Sequence, residues 1–174
     1  MKYLYGMSLD SPFGRIVAQG TKSHIQFLKF DDSAETLVAA ERPDWFEACE
    51  LQMQQYFSAE RSVFDLPIDP QGTEFQKRVW KALCDVDFGS FASYQQLAIA
   101  IGNINAVRAV ASANARNPIW VLIPCHRIIG SDRALRGYAG GIERKAQLLM
   151  LEGFSFAVEH SNLVNEKTKL LINN

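Results

Sequence analysis

Apolar and polar residues alternate along residues 2–30. Tyr3, Leu4 and Tyr5 lead to a Ser-Pro-Phe-Gly turn at 11–14, Arg15 to Ala18 follow, and a Gly20-Thr21-Lys22 turn precedes a second alternating run at 24–30. A period of two with turn residues at its breaks predicts three strands of an antiparallel meander. Over residues 44–58 the period changes: Trp45, Phe46, Cys49, Leu51, Met53, Tyr56 and Phe57 recur at helical spacing in an acidic segment, and residues 64–68 read as a further short strand. The turn-rich Pro-Ile-Asp-Pro-Gln-Gly at 67–72 marks the expected domain boundary. Beyond it Thr73 and Gln76 form a capping box for a helix with apolar positions Phe75, Val79, Trp80 and Leu83. Ser93 and Gln96 do the same for a helix at 94–101, which Gly102-Asn103 ends, and a third helix, capped near Asn105, runs over 106–114 until Asn117-Pro118 stops it. The apolar run 119–123 reads as a strand that ends at Pro124. The chain is therefore expected to be α+β: a sheet-rich structural domain at 1–70, a mainly helical domain with a helix-turn-helix at 71–156, and a tail at 157–174 without a readable motif.

Composition sharpens this picture in three places. With 48% hydrophobic and 21% charged residues among 174, the chain has the balance of a soluble globular protein. No apolar run approaches the length of a membrane span and the first residues lack a signal-peptide pattern, so a cytoplasmic protein without membrane contact is expected. Three cysteines, Cys49, Cys84 and Cys125, leave a free thiol in any pairing scheme. No Cys-x-x-Cys or His-x-x-x-His pair occurs, so no metal is expected. The net charge of −1 conceals an asymmetry: residues 1–72 hold 6 basic against 11 acidic side chains, and residues 73–150 hold 10 against 5. The basic part contains Cys125. Such an excess suits a polyanion such as DNA, and equally an ordinary solvated surface. Two short helices around 102–104 make a helix-turn-helix candidate, a pattern also common in proteins that never touch DNA.

The chemistry concentrates at residues 119–127, Ile-Trp-Val-Leu-Ile-Pro-Cys-His-Arg. A thiolate is a good nucleophile and a thiol a poor one, so a reactive cysteine needs a neighbour that takes its proton or steadies its charge. His126 and Arg127 are next in sequence, and a turn after Pro124 is needed to bring them together, since neighbours on a strand face opposite ways. Cys125 alone would read as a small buried hydrophobe. The string Pro124-Cys125-His126-Arg127 after Asn117-Pro118 resembles the active-site motif of the O6-alkylguanine-DNA alkyltransferases. The resemblance extends in order and spacing to Gly72 through Gln76, the run from Ser93 to Ala98, Ala106 to Val110, the Gly-Tyr-Ala-Gly-Gly at 137–141, and Lys145, Leu148, Leu149, Glu152 and Gly153. It covers nearly all of the second half, whereas the first half agrees only in its sheet-rich character. Trp120, Asp87 and residues 90–92 depart from the family's pattern.

The resemblance implies a ribonuclease H-like N-terminal domain and a single-use repair protein. Cys125 would be the nucleophile and final acceptor of the alkyl group from O6-alkylguanine, with O4-alkylthymine a further substrate. Glu152 would orient His126, and His126 would take the thiol proton, in the logic of nucleophile, base and orienter. Asn117 would be the hinge that ties recognition helix to active site, and Arg127 a structural or electrostatic support. On the DNA side Arg108 would fill the stack left by a flipped nucleotide, Tyr94 would crowd the phosphate and touch the base, and Ala106 and Ser112 would line the minor groove. Ile128, Tyr138 and Ala139 would complete the pocket with Tyr94 and Cys125. The resemblance further implies duplex DNA containing O6-alkylguanine as the partner, action as a monomer, and no cofactor, because the protein would itself be the acceptor. Three other classes fit parts of the pattern: a non-catalytic alkyltransferase-like binder of damaged guanine, a Cys-His hydrolase, and a sequence-specific transcription factor. A non-nucleophilic residue at position 125, repeated turnover, or preference for one duplex sequence would mark each in turn.

Overall fold

A computed structural model describes residues 5–32, 41–159 and 169–173. The expected meander forms as β1 (Tyr5–Ser11), β2 (Gly14–Gly20) and β3 (Ile25–Phe30), in the order β1-β2-β3, with Ser11 paired to Gly14 at the first turn and a register shift at Gln19/Gly20. Helix α1 (Phe46–Phe57) buries Cys49, Gln52, Met53 and Tyr56, the face that the helical spacing defines. Its Gln52 clamps the chain at Asp65 through paired bonds of 3.0 and 2.8 Å.

The capping boxes hold at α2 (Glu74–Cys84) and α3 (Tyr94–Ala100), where Thr73 and Ser93 accept from the backbone of Gln76 and Gln96 and those side chains answer on the cap N–H. Gly102, with φ of +78°, closes α3: its N–H reaches Ile99 O and that of Asn103 reaches Ala98 O, so two orphan carbonyls are satisfied. The third helix departs from expectation. Residues Ile104–Ala106 form a 3-10 turn, α4 runs over Val107–Ala115, and no side chain caps it; Asn105 lies inside the turn. The Trp80 indole N–H, donated to Ala113 O at 2.9 Å, fastens α2 to the end of α4.

Neither 64–68 nor 119–123 is a strand. Each touches the outer edge of β3 at one bridge, Ile68 to Ile25 and Ile119 to Leu28. Leu28 N–H donates to Pro118 O at 2.9 Å and Trp120 N–H to Leu28 O at 2.7 Å, after which the chain turns, with Val121 at φ of +71°. A β-branched residue in that region costs about 1–3 kcal/mol, which full burial of the run offsets. The edge of the sheet is thus stitched to the segment that carries Cys125. A two-residue parallel pair, β4 (Ala92–Ser93) with β5 (Ile128–Ile129), anchors the other side of that segment to the start of α3. Helix α5 (Ile142–Leu151) follows, and beyond it β6 (Ser155–Glu159) pairs antiparallel with β7 (Lys169–Asn173), in the part of the chain without a readable motif. One continuous core runs from Met7, Ile16 and Leu28 through Tyr56 and Trp80 to Cys125 and Leu148. Among the described residues no helix is long and apolar enough to cross a membrane.

Candidate active site

Pro124 ends the apolar run, and Cys125–Arg127 form a single 3-10 turn with all three side chains buried. The turn buries the His126 imidazole as well as the Cys125 thiol, where neighbours on a strand would point to opposite faces. Cys125, 3% exposed, receives the Asn117 Nδ2 hydrogen bond on its sulfur at 3.0 Å. The same amide donates to Ile123 O at 2.8 Å, and its oxygen accepts the Ile119 N–H at 3.0 Å. Asn117 also donates its backbone N–H to Asn114 O in the last turn of α4. One fully buried residue therefore joins the helix end, through its backbone, to the apolar loop and the thiol, through its side chain.

Glu152 is the C-cap residue of α5, and it is buried rather than at the surface, where the end of a helix would ordinarily leave a carboxylate. Its Oε1 pairs with His126 Nε2 at 2.8 Å and accepts from the Tyr56 hydroxyl at 2.7 Å and Arg127 Nη2 at 3.0 Å; its Oε2 accepts from Arg127 Nε at 2.9 Å. Arg127 further donates to Val86 O at 2.6 Å, so it braces Glu152 and the turn together. Burial raises the Glu152 pKa, but the His126 bond and charge, then those of Arg127, prevail and hold it at about 2. An ionised carboxylate requires His126 to carry its proton on Nε2. His126 Nδ1 is then a lone-pair acceptor, and it is buried without a hydrogen-bond partner among the described residues. Burial lowers the His126 pKa against the pull of Glu152, which keeps the imidazole neutral. Burial likewise pushes the Cys125 thiol up to about 11, opposed by the Asn117 bond and the charges of Lys145 and Lys29. The turn therefore holds a protonated thiol and a neutral imidazole.

Tyr94, the first residue of α3, donates its hydroxyl to Arg136 O at 3.3 Å and lies against the 136–140 loop. Tyr138 is buried, and its hydroxyl finds no partner among the described residues. Burial raises both phenols, and the Cys125 charge raises them further. Trp120 stacks behind Tyr138 at 5.4 Å between centroids and donates its indole N–H to Asn117 O at 3.0 Å. A Cβ on Gly140 would stand 2.8 Å from Tyr138 and 2.9 Å from Trp120, which explains a glycine there. Ile128 is buried beside the turn and its carbonyl accepts from Lys145, while Ala139 is exposed on the loop. Arg108 and Ser112 are exposed on α4 and Ala106 is half-buried at its start; Ser112 accepts from Arg116 at 2.6 Å. No hydrogen bond or ion pair among the described residues joins these three to the thiol cluster; Asn117 tethers the end of their helix to it.

Sequence reasoning missed two residues. Lys145 has its amino group fully buried, held by Ile128 O and by Arg136 O at 2.7 Å, and burial lowers its pKa to about 8 against the Cys125 charge. Lys145, Leu148, Leu149 and Glu152 fall at i, i+3, i+4 and i+7, one helical face, so the spacing itself marks both charges as inward. Tyr56 likewise falls on the apolar face of α1 with Cys49 and Met53, although no pattern says where its hydroxyl points.

The DNA-binding domain of 6-O-methylguanine DNA methyltransferase matches residues 74–154, and its ribonuclease-like domain matches residues 4–70. The methylated-DNA–protein-cysteine methyltransferase of Methanosarcina barkeri is 43% identical over 153 residues, 86% of this chain and 97% of that one. Its Haemophilus influenzae counterpart is 38% identical over 87% of this chain and 88% of that one. The O6-methylguanine methyltransferase structure of Mycobacterium tuberculosis superimposes with a TM-score of 0.76 at 39% identity, and a DNA complex from the same organism with 0.78 at 40%, each covering 85% of this chain and 92% of the other. With both domains matched and these relatives spanned almost end to end, the chain belongs to the 6-O-methylguanine DNA methyltransferase family.

Proposed function

We propose that this chain repairs DNA by moving the alkyl group of O6-alkylguanine onto Cys125. The observation that carries the reading is the convergence on one buried turn of a thiol held by Asn117 and an imidazole held by Glu152. The thiol proton passes to His126 Nδ1, across one bridging water. Sulfur then attacks the alkyl carbon, the new S–C bond forms as the C–O6 bond breaks, and the proton replaces the alkyl group on the departing guanine. The thioether at Cys125 has no route back to a thiol, since no water attacks a saturated S-alkyl carbon as it would an acyl-enzyme. Each molecule acts once. A base stacked in a duplex cannot present O6 to a buried sulfur, so the nucleotide turns out of the helix; Tyr94, Tyr138, Ile128 and the backbone at Ala139 receive it, and Arg108 fills the gap from the minor groove, with Ala106 and Ser112 against the backbone. One chain suffices as a monomer. A thiol at position 125 also separates this chain from binders that hold damaged guanine without repairing it.

The test is incubation with duplex containing O6-methylguanine, followed by peptide mass mapping. Repair should plateau at one guanine per protein, with the methyl group on the Cys125 peptide and none on Cys49 or Cys84. Repeated turnover, or repair that survives Cys125→Ser, would favour a hydrolase instead.

A further inference from the structure

Glu152 has more donors than its ion pair requires. Arg127 alone reaches both oxygens, from Nε to Oε2 and from Nη2 to Oε1. The remaining two bonds both end on Oε1: the His126 N–H and the Tyr56 hydroxyl, at 2.8 and 2.7 Å. Tyr56 belongs to α1, in the sheet-rich half, and lies 96 positions before Glu152. Its ring packs against Phe57, Phe64 and Phe88, with centroids at 5.4, 5.2 and 6.1 Å, so a phenylalanine would fill the same space. A buried hydroxyl is costly unless it is hydrogen-bonded, and this one has the oxygen that His126 uses as its partner.

We propose that Tyr56 is a positioning residue of the relay: its hydroxyl shares Glu152 Oε1 with His126, draws part of the carboxylate's charge away from the imidazole, and so holds His126 neutral with Nδ1 open to the thiol proton. The inference rests on the reading of Cys125, His126 and Glu152 given above. Its sign follows from charge. Glu152 favours the protonated imidazole, Arg127 and Lys145 oppose it, and the carboxylate is the only anion among the charged groups that act on His126. Around Tyr56 itself stand Glu152, Arg127 and Tyr138, and burial together with the Glu152 charge keeps the phenol protonated as a donor. Without the hydroxyl the carboxylate acts on His126 with one donor fewer, the imidazole binds a proton at higher pH, and the base is lost over part of the neutral range.

Tyr56→Phe in the full chain tests this with free O6-benzylguanine, which needs no duplex. The acid limb of the single-turnover rate against pH should move up by about half a unit to one unit, with a roughly threefold to tenfold slower transfer near pH 7 and a rate close to the parent's on the alkaline plateau. The ring-proton NMR titration of His126 should show the same upward shift without depending on turnover. A pH profile and a His126 titration that superimpose on the parent's would overturn the inference, even with a lowered Tm, because packing alone would then explain the hydroxyl. A parent protein that transfers nothing to Cys125 would overturn both the inference and the reading beneath it, whereas normal transfer in the parent with an unshifted variant removes the inference alone.

Discussion

Because burial pushes Cys125 up to about 11, its sulfur keeps its proton at neutral pH. In a Cys84→Ser background, iodoacetamide should label the Cys125 peptide at least roughly tenfold more slowly at pH 8 than it labels a free cysteine, and the rate should climb with pH beyond 9. Fast labelling at pH 7 would show a preformed thiolate. Glu152 and His126 make the opposite end of the pH scale sensitive. Glu152 is held at about 2 against an ordinary 4.5, and His126 below its ordinary 6.5, so in both cases the unfolded chain binds more protons as pH falls. Stability is then present above each ordinary value and lost below it, for Glu152 between about 4.5 and 2. Glu152→Gln should lower Tm at pH 7, since Arg127 loses its buried partner, yet lose less than the parent between pH 5 and pH 3. A parallel fall in both proteins would remove Glu152 as the source.

At the scale of elements, α4 and α3 serve the site from outside it. Arg108 is exposed, so Arg108→Ala should leave transfer from free O6-benzylguanine within about twofold while slowing repair in duplex by on the order of tenfold, because only the duplex has a stack to fill. Equal losses on both substrates would end that role for Arg108. Ser93→Ala removes the cap of α3 and should cost about 1 kcal/mol in a denaturant titration. These elements were legible because their signals are local: capping boxes, Gly102 and the helical period lie within a few residues of what they decide. The turn at Cys125 was legible for the same reason, since Pro124 stands directly before it, whereas Cys125 and His126 read as a site only through the resemblance of the whole string. The run 119–123 misled, since a short apolar stretch suits a strand and a buried turn alike, and the edge of β3 decided between them. Asn105 offered a cap that the 3-10 turn consumed, and the burial of Glu152 followed from partners at positions 56, 126 and 127 that no local pattern joins.

For the molecule as a whole, the basic excess of residues 73–150 predicts DNA binding that weakens as salt rises and depends little on sequence, because phosphate contacts release counterions. Affinity measured on several undamaged duplexes between low and physiological salt checks this, and salt-insensitive binding would contradict it. The acidic half is no passive partner, for its strand β3 receives the active-site segment through Leu28 and its Tyr56 reaches Glu152. The sequence distances in the Glu152 cluster also set an order in time. On the ribosome Tyr56 is made first, then Cys125, His126 and Arg127, and Glu152 only 25 residues after Arg127. Until α5 emerges and docks, the imidazole has no carboxylate to fix its tautomer, so a nascent chain stalled before Glu152 holds the Cys125 turn without the partner that orients His126.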